Sequence, residues 1–340
     1  MKSKSLFVLL MVLGLTSINA LWAAKPVYDV TGYLYKNPEN KSIFIPMNIL
    51  YQDMLLKKGN YVIDTAFLTQ YAKKLPASDL PYILDIECWN VRPNVSDEVA
   101  NIHINNLILV IKTLKTARPD LKFGYYGELP TRDYVTRFPA TGEKLRKWKH
   151  ANERLKRLAV YVDVICPDLY THSEDAESWK QYAKDAIKES RMYGKPVMPF
   201  IWPEYHDAHV ELKGKYIPAE YWREQLKTLD QLADGIIIWG GRDVTVNPHV
   251  SKVWNEEDPW WMVTKEFISG KNESNVVSQT VKTDIAKTRE LPVTVIQKPI
   301  TVKAIQAPSK VTVIKQVALP KQEIKTKSVG LKGPNFQFNK

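Results

Sequence analysis

Two carboxylates stand two residues apart at the end of an apolar run: Asp85 and Glu87, within the stretch 81–89. Side chains alternate along a β-strand, so both acids share one face while Leu84, Ile86 and Cys88 share the other. In a parallel barrel Glu87 would lie near the C-terminal end of its strand, where such folds carry their chemistry, and Asp85 one layer deeper. The spacing therefore predicts an acid with a supporting acid beneath it.

Glycoside cleavage is a reaction that such a pair could perform. It needs one carboxylic acid to protonate the leaving oxygen and a second group to stabilise the oxocarbenium-like transition state. Acids at i and i+2 of one strand have Cα atoms about 6.5 to 7 Å apart and point in parallel, not across a scissile bond. This geometry favours a substrate-assisted mechanism, in which the N-acetyl oxygen of the sugar attacks. The plainer alternative is that Asp85 caps a loop or pairs with Arg92.

The elements that must position the pair follow a regular rhythm. Apolar strands are predicted at 42–48, 82–87, 121–127, 161–166, 195–202 and 234–240. Helical spacing is found at 64–75, 96–114, 148–158, 179–192, 219–232 and 260–268. Near-continuous apolar strands that alternate with amphipathic helices indicate a parallel sheet.

The closed form of this sheet is favoured over an open, doubly wound one. No Gly-rich phosphate turn follows any strand, and functional-looking residues stand at many strand ends. We predict an α/β fold, a distorted TIM-like (β/α) barrel of about seven parallel strands. Residues 28–40 are predicted as an irregular lead-in, and a further strand is expected near 61–63 or in a loop.

Five stretches carry a resemblance to a known family, and they fall in that family's order. They are Asp85–Pro93 (DIECWNVRP), Phe123–Gly127 (FGYYG), Cys166–Tyr170 (CPDLY), Pro196–Pro203 (PVMPFIWP) and Gly235–Gly240 (GIIIWG). Together they resemble the hyaluronidase family, glycoside hydrolase family 56, over residues 42–268. The resemblance implies a distorted barrel and retaining hydrolysis of β-linked N-acetylhexosamine polymers, such as hyaluronan or chondroitin, by acetamido participation.

The resemblance also implies roles for individual residues. Glu87 is similar to the proton donor, Asp85 to the carboxylate that orients the acetamido group, and Tyr170 to the tyrosine that contacts this group. The remaining matches imply substrate binding, with Trp239 as an aromatic wall and Tyr126 as a groove tyrosine, joined by Trp89, Arg92 and Trp202. For each aromatic residue, ordinary core packing is the alternative.

The sequence departs from the family pattern beside the acids. Ile86 stands where the family usually has Trp, and Cys88 replaces a further acid. The acid pair is kept, so hydrolysis remains the first hypothesis. The second hypothesis is a non-catalytic carbohydrate-binding barrel, tethered to a surface by its basic tail.

The positive charge of the chain is concentrated near its C-terminus. The net charge is +11, and residues 271–340 hold 13 Lys/Arg against 4 Asp/Glu. The predicted barrel domain, 25–270, is therefore close to neutral, and nucleic-acid binding is not expected. We predict that 271–340 is a disordered low-complexity tail. Contact with an acidic polymer or a cell surface and a solvated tail without a partner both remain open.

Residues 1–24 have the pattern of a secretory signal, with Lys2 and Lys4 before a short apolar run. A secreted or periplasmic protein without a transmembrane span is expected. Cys88 and Cys166 are predicted to be two free buried thiols, because strand ends with one strand between them lie far apart; a disulfide formed after export is the alternative. The segment 204–209 holds two His and two acids, but its spacing matches no zinc signature, so a solvated loop is expected and no metal or cofactor.

Overall fold

The computed structural model describes residues 25–37, 43–57, 61–132 and 141–270. The predicted signal segment 1–24 and the predicted disordered tail 271–340 lie outside the described residues. Within the described part, parallel strands alternate with helices. The strands of the barrel are β1 (Val27–Asp29), β2 (Ile45–Pro46), β3 (Asn48–Tyr51), β4 (Tyr82–Asp85), β5 (Phe123–Tyr126), β6 (Val164–Cys166), β7 (Phe200–Ile201) and β8 (Ile236–Ile238).

Parallel pairing closes these strands into a barrel. One run pairs in the order β2-β1-β8-β7 and the other in the order β3-β4-β5-β6. Met47 alone separates β2 from β3, so the two form one interrupted strand of the barrel. At the other junction, the parallel bridges Ile165–Val197 and Asp168–Phe200 join β6 to β7. The result is a closed parallel barrel of seven strands, with β2 and β3 counted as one, which confirms the predicted fold class.

Helices surround the barrel, and their starts follow from the sequence. Ser96 caps α3 by accepting the Val99 N–H, and Asp64 caps α2 by accepting the Phe67 N–H. The helices are α1 (Gln52–Leu55), α2 (Thr65–Lys73), α3 (Asp97–Ala117), α4 (Gly142–Ala159), α5 (Ala176–Arg191), α6 (Ala219–Leu232) and α7 (259–270).

Alternation along the strands separates two cores. On β4, Ile83 belongs to a small cluster inside the barrel, while Tyr82 and Leu84 belong to the large cluster between strands and helices. Ile86, just after the strand, continues the outer face. Because the period is two, Asp85 and Glu87 follow Ile83 on the inner face, as the sequence predicts.

Three features differ from the sequence prediction. The segment expected to be irregular contains β1, whose three residues are too few to show a period; pairing with β2 and β8 makes it a strand. An antiparallel hairpin, β9 (Arg242–Asp243) and β10 (Asn247–Ser251), follows β8 and was not predicted. The strand predicted at 195–202 is reduced to β7 and the bridge at Val197, since Pro199 has no N–H for the ladder.

Both cysteines are free, as predicted. Cys166 lies in the inner cluster, whereas Cys88 is half-buried against the outer one. The barrel wall therefore separates the two thiols, and burial raises the pKa of Cys88 to about 11. In the described segments, no helix combines the length and the apolar character needed to cross a membrane.

Candidate active site

A cavity of about 290 Å³ opens at the C-terminal ends of the barrel strands. Its wall is built from residues of β3, β4, β5 and β7 and from the segments that follow β4, β5, β6, β7 and β8. Both acids singled out from the sequence contribute to it. The lining residues are Ile49, Asp85, Glu87, Arg92, Tyr126, Arg132, Tyr170, Phe200, Trp202, His206, Asp207, Trp239 and Val244.

Glu87 stands at the mouth of this cavity. The backbone N–H groups of Glu87 and Cys88 both donate to Gln52 Oε1 at 3.2 Å, which fixes the turn after β4. The side chain of Glu87 is 51% exposed, and its Oε1 lies 2.5 Å from Arg132 Nη1. The carboxyl group is thus accessible to a ligand and is ion-paired.

Asp85 lies deeper, at the end of β4. Its Oδ1 is buried and has no hydrogen-bond partner among the described residues. Burial, together with the negative charge of Glu87, raises the pKa of Asp85 to about 8, while the positive charge of Arg132 opposes the rise. Asp85 is therefore a buried acid whose protonated form is favoured, and it lies beneath the ion-paired Glu87.

Two more acids lie close to the pair, behind the cavity wall. Glu128 is 4% exposed, and burial raises its pKa to about 7 against the opposing charges of Arg132 and Arg92. The side chain of Asp168 is 1% exposed; its Oδ1 accepts the Tyr170 N–H at 3.0 Å, and its Oδ2 lies 4.0 Å from Arg132 Nη1. Asp168 thereby connects the strand end that carries Tyr170 with the Arg132–Glu87 pair.

Aromatic rings form the opposite side of the cavity. The Tyr170 ring lies 5.8 Å from that of Tyr126, 5.5 Å from Trp202 and 5.8 Å from Trp239. Trp202 and Trp239 meet edge to face at 4.8 Å. Tyr126, Tyr170 and Trp202 are buried in the inner cluster, whereas Trp239 remains partly exposed. Such a surface presents ring faces and edges to a ligand with an apolar face.

His206 and Asp207 complete the wall beyond β7. The segment 204–209 is a solvated loop in part, as predicted, because Asp207 and Ala208 are exposed. Glu204 and Tyr205 are buried, and the His206 N–H donates to Thr171 O at 2.8 Å. The His206 contact lowers the pKa of Asp207, which keeps this carboxylate charged. No group of three or more His, Cys, Asp or Glu in the described part of the chain is arranged to hold a metal ion.

Seven of the eight residues proposed from the sequence line the cavity, and Trp89 is the exception. Trp89 is 7% exposed and packs in the outer core. It follows the turn that Gln52 fixes, so the strand alternation does not extend to it. Asp168, His206 and Asp207 were not proposed as site residues. Their signal was a polar side chain soon after a strand, which many barrel residues share.

No protein-family model matches the sequence, and a comparison with curated protein sequences finds no match. Among solved structures, bee venom hyaluronidase in complex with a hyaluronic acid tetramer is similar at 16% identity and a TM-score of 0.48, over 73% of this chain and 96% of that chain. An endo-β-1,3-glucanase from Amycolatopsis mediterranei is 11% identical with a TM-score of 0.40, over 71% and 98%. D-psicose 3-epimerase from Clostridium cellulolyticum is 12% identical with a TM-score of 0.40, over 74% and 99%. At these values the neighbours assign no activity, and function has to be inferred from the chain's own residues.

Proposed function

We propose that this protein is a glycoside hydrolase that cleaves an N-acetylhexosamine-containing polysaccharide, of the hyaluronan or chondroitin kind, with retention of configuration. The observation that carries the proposal is that two acids lie at different depths in one aromatic-lined cavity. Glu87 is accessible at the mouth, and Asp85 is buried beneath it on the same strand face. A pyranose ring can stack on the partly exposed Trp239 while its glycosidic oxygen faces Glu87.

In the proposed reaction the sugar supplies its own nucleophile. The acetamido oxygen attacks the anomeric carbon, and Glu87 gives its proton to the departing glycosidic oxygen. Water then attacks the anomeric carbon of the cyclic intermediate, and Glu87, now acting as a base, takes a proton from this water. Positive charge develops on the acetamido nitrogen, and Asp85, directly below, supports that nitrogen as a hydrogen-bond acceptor.

The state of Asp85 fits this role. Burial and the negative charge of Glu87 raise the pKa of Asp85, which favours the neutral form before substrate enters and limits the uncompensated charge that is buried at rest. An unprotonated oxygen of this carboxyl group can still accept a hydrogen bond from the acetamido N–H, and that bond strengthens as positive charge develops on the nitrogen. The stabilisation is thus stronger in the transition state than in the ground state, which is the condition for catalysis.

The second candidate is a carbohydrate-binding protein without turnover. One contact favours it: Glu87 Oε1 lies 2.5 Å from Arg132 Nη1. A general acid has to give a proton to the glycosidic oxygen, whereas this contact directs the carboxyl group toward Arg132. In this case the aromatic wall would bind a sugar that the acids do not cleave.

Reducing-end release distinguishes the two candidates. The full chain and its Glu87→Gln variant are incubated with hyaluronan, chondroitin, chitin oligomers and peptidoglycan, with Glu153→Gln on the exposed face of α4 as the matched control. We expect hydrolysis of at least one N-acetylhexosamine polymer, reduced about 100-fold or more by Glu87→Gln and unchanged in the control, because general acid catalysis contributes that much.

Retention is tested by the anomeric configuration of the first product in NMR. Inversion would contradict acetamido participation, and activity that survives in Glu87→Gln would remove Glu87 from the mechanism. Polymer binding without release by any of the proteins would support the binding candidate.

Export and surface attachment belong to the same proposal. A secretory signal in 1–24 would bring the enzyme to extracellular or periplasmic polysaccharide, and the charge of 271–340 would hold it near acidic polymers. Cell fractionation with an antibody against the barrel tests the first point. Protein confined to the cytoplasm would contradict it.

A further inference from the structure

Arg132 is a buried cation at the centre of the acidic side of the cavity. Its side chain is 4% exposed, and Nη1 lies 2.5 Å from Glu87 Oε1 and 4.0 Å from Asp168 Oδ2. A guanidinium group presents several donors in a fixed plane, which allows it to serve two carboxylates at once. Glu87 is accessible and Asp168 is buried, so Arg132 connects the surface of the site with its interior.

The surroundings of Arg132 hold it in this place. Its guanidinium carbon lies 5.1 Å from the centre of the Tyr126 ring. Gly127 has φ +64, and a Cβ there would lie 2.8 Å from Arg132 Cδ, so a larger residue would push the arginine away. On the other side, the carbonyl of Thr131 accepts the Trp148 indole N–H at 2.9 Å. The position of Arg132 is therefore set by β5, by the turn that follows it and by α4.

The charges explain why a cation is needed there. Asp85 and Glu128 are both buried, and Arg132 acts on each of them against the effect of burial. The titratable and charged groups that act on Asp85 include Glu87, Arg132, Glu128 and Asp168, and the charge of Asp85 acts in turn on Tyr51. The positive charge of Arg132 thus acts on four carboxyl groups, those of Asp85, Glu87, Glu128 and Asp168.

We propose that Arg132 is a positioning residue: it holds the Glu87 carboxylate against the cavity wall at rest, and it turns to Asp168 when Glu87 carries the proton for the leaving oxygen. This inference rests on the proposed hydrolysis. Protonation removes the charge that attracts Arg132 to Glu87, and Asp168 is the second acid near the same nitrogen. This change of ion-pair partner from Glu87 to Asp168 allows Glu87 to face the glycosidic oxygen, while the buried guanidinium group of Arg132 stays paired.

The test uses the full chain with Arg132→Met and Arg132→Lys. Arg146→Met is the matched control, because Arg146 pairs with Glu143 on the exposed face of α4. On the polymer that the wild type cleaves, we expect kcat to fall on the order of 10- to 100-fold in Arg132→Met, with KM changed less than about threefold, because a misplaced acid costs rate and not binding. Arg132→Lys keeps the charge but lacks the fork, so its kcat should lie in between.

A second readout separates positioning from a general structural role. Carboxyl-carbon NMR follows the titration of Asp85, assigned by its loss in Asp85→Asn. Arg132→Met should move this titration to higher pH, because a positive charge that lowers the pKa is gone, while Arg132→Lys and Arg146→Met should leave it near the wild-type position.

Arg132→Met leaves the buried Asp168 without its cation and could fail to fold, so Arg132→Met/Asp168→Asn is prepared as well. Wild-type kcat together with an unshifted Asp85 titration in a folded Arg132 variant would overturn the inference and leave the hydrolase proposal standing. An inactive wild type would overturn the hydrolase proposal, and the positioning role with it.

Discussion

Asp85 is the residue at which burial and charge conflict most directly. Its Oδ1 is enclosed without a partner among the described residues, and Glu87 stands two residues further along the same face. A buried charge is unfavourable, and burial raises the pKa of Asp85 from 3.8 to about 8, so the protonated form of the group is favoured in the fold. The same shift ties the stability of the fold to pH.

We predict that the wild type loses stability between about pH 4 and pH 8 through Asp85. A raised pKa in the folded state gives stability that is complete below the unfolded pKa and is lost as pH rises through the folded one. Within this window the loss is about 1.4 kcal/mol per pH unit for one proton. Asp85→Asn should therefore show a shallower decline of the free energy of unfolding.

Urea unfolding at a series of pH values measures this, with the exposed Asp79→Asn as the control. Parallel curves for the wild type and Asp85→Asn would mean that Asp85 is charged in the fold. The control should follow the wild type at every pH.

At the scale of elements, an ion pair ties the extension of β7 to the hairpin after β8. Glu204 is completely buried, and its Oε2 lies 2.7 Å from Lys252 Nζ, just beyond β10. The same Nζ donates to the carbonyl of Gly214 at 3.0 Å. Burial raises the pKa of Glu204 to about 7, and Lys252 opposes the rise. The pair helps to fix the segment that carries His206 and Asp207 to the cavity.

We predict that Lys252→Met destabilises the protein by about 3 kcal/mol at pH 8, because it leaves a buried carboxylate without its cation. The loss should shrink toward pH 5, where Glu204 is protonated and needs no cation. Glu204→Gln/Lys252→Met should recover most of it. Chemical unfolding of the wild type, Lys252→Met, Glu204→Gln and the double variant forms a double-mutant cycle; a loss that is independent of pH would assign the effect to packing of the lysine stem.

At the scale of the whole molecule, charge is distributed unevenly along the chain. The barrel domain is close to neutral, while 271–340 holds 13 Lys/Arg against 4 Asp/Glu. Attraction between exposed charges falls off over about 10 Å at 0.1 M salt. Any general attraction to an anionic polymer should therefore come from this segment and should depend strongly on salt.

We predict that deletion of 271–340 weakens binding to hyaluronan at low salt and leaves binding to neutral chitin oligomers unchanged. A full-length variant with these 13 Lys/Arg replaced by Gln is the matched control for length, and it should behave like the deletion. Sedimentation with the polymer at increasing salt measures the effect. Equal, salt-independent binding by all three proteins would remove the segment from polymer recognition.

The sequence by itself determined the repeating order of strands and helices, the cap of α3 at Ser96 and the shared face of Asp85 and Glu87. These are properties of neighbours along the chain, because strand alternation and helix capping depend on spacings of a few residues. Residues 219–232 were predicted as a helix and form α6 with the same limits. The substrate-binding roles of Tyr126, Tyr170, Trp202 and Trp239 were implied by the family resemblance and not by local spacing, and they stay a prediction.

Only the tertiary structure decided which side chains meet from different strand ends. Arg132 and Asp168 lie 45 and 81 positions beyond Glu87 by their residue numbers, and closure of the barrel brings Arg132 to the Glu87 carboxyl group and Asp168 to Arg132. Trp89 was lost to the outer core because the chain turns after Glu87, and β1 became a strand because its neighbours supply its hydrogen bonds. Such contacts depend on loop paths and on the closing of the sheet, which no local period encodes.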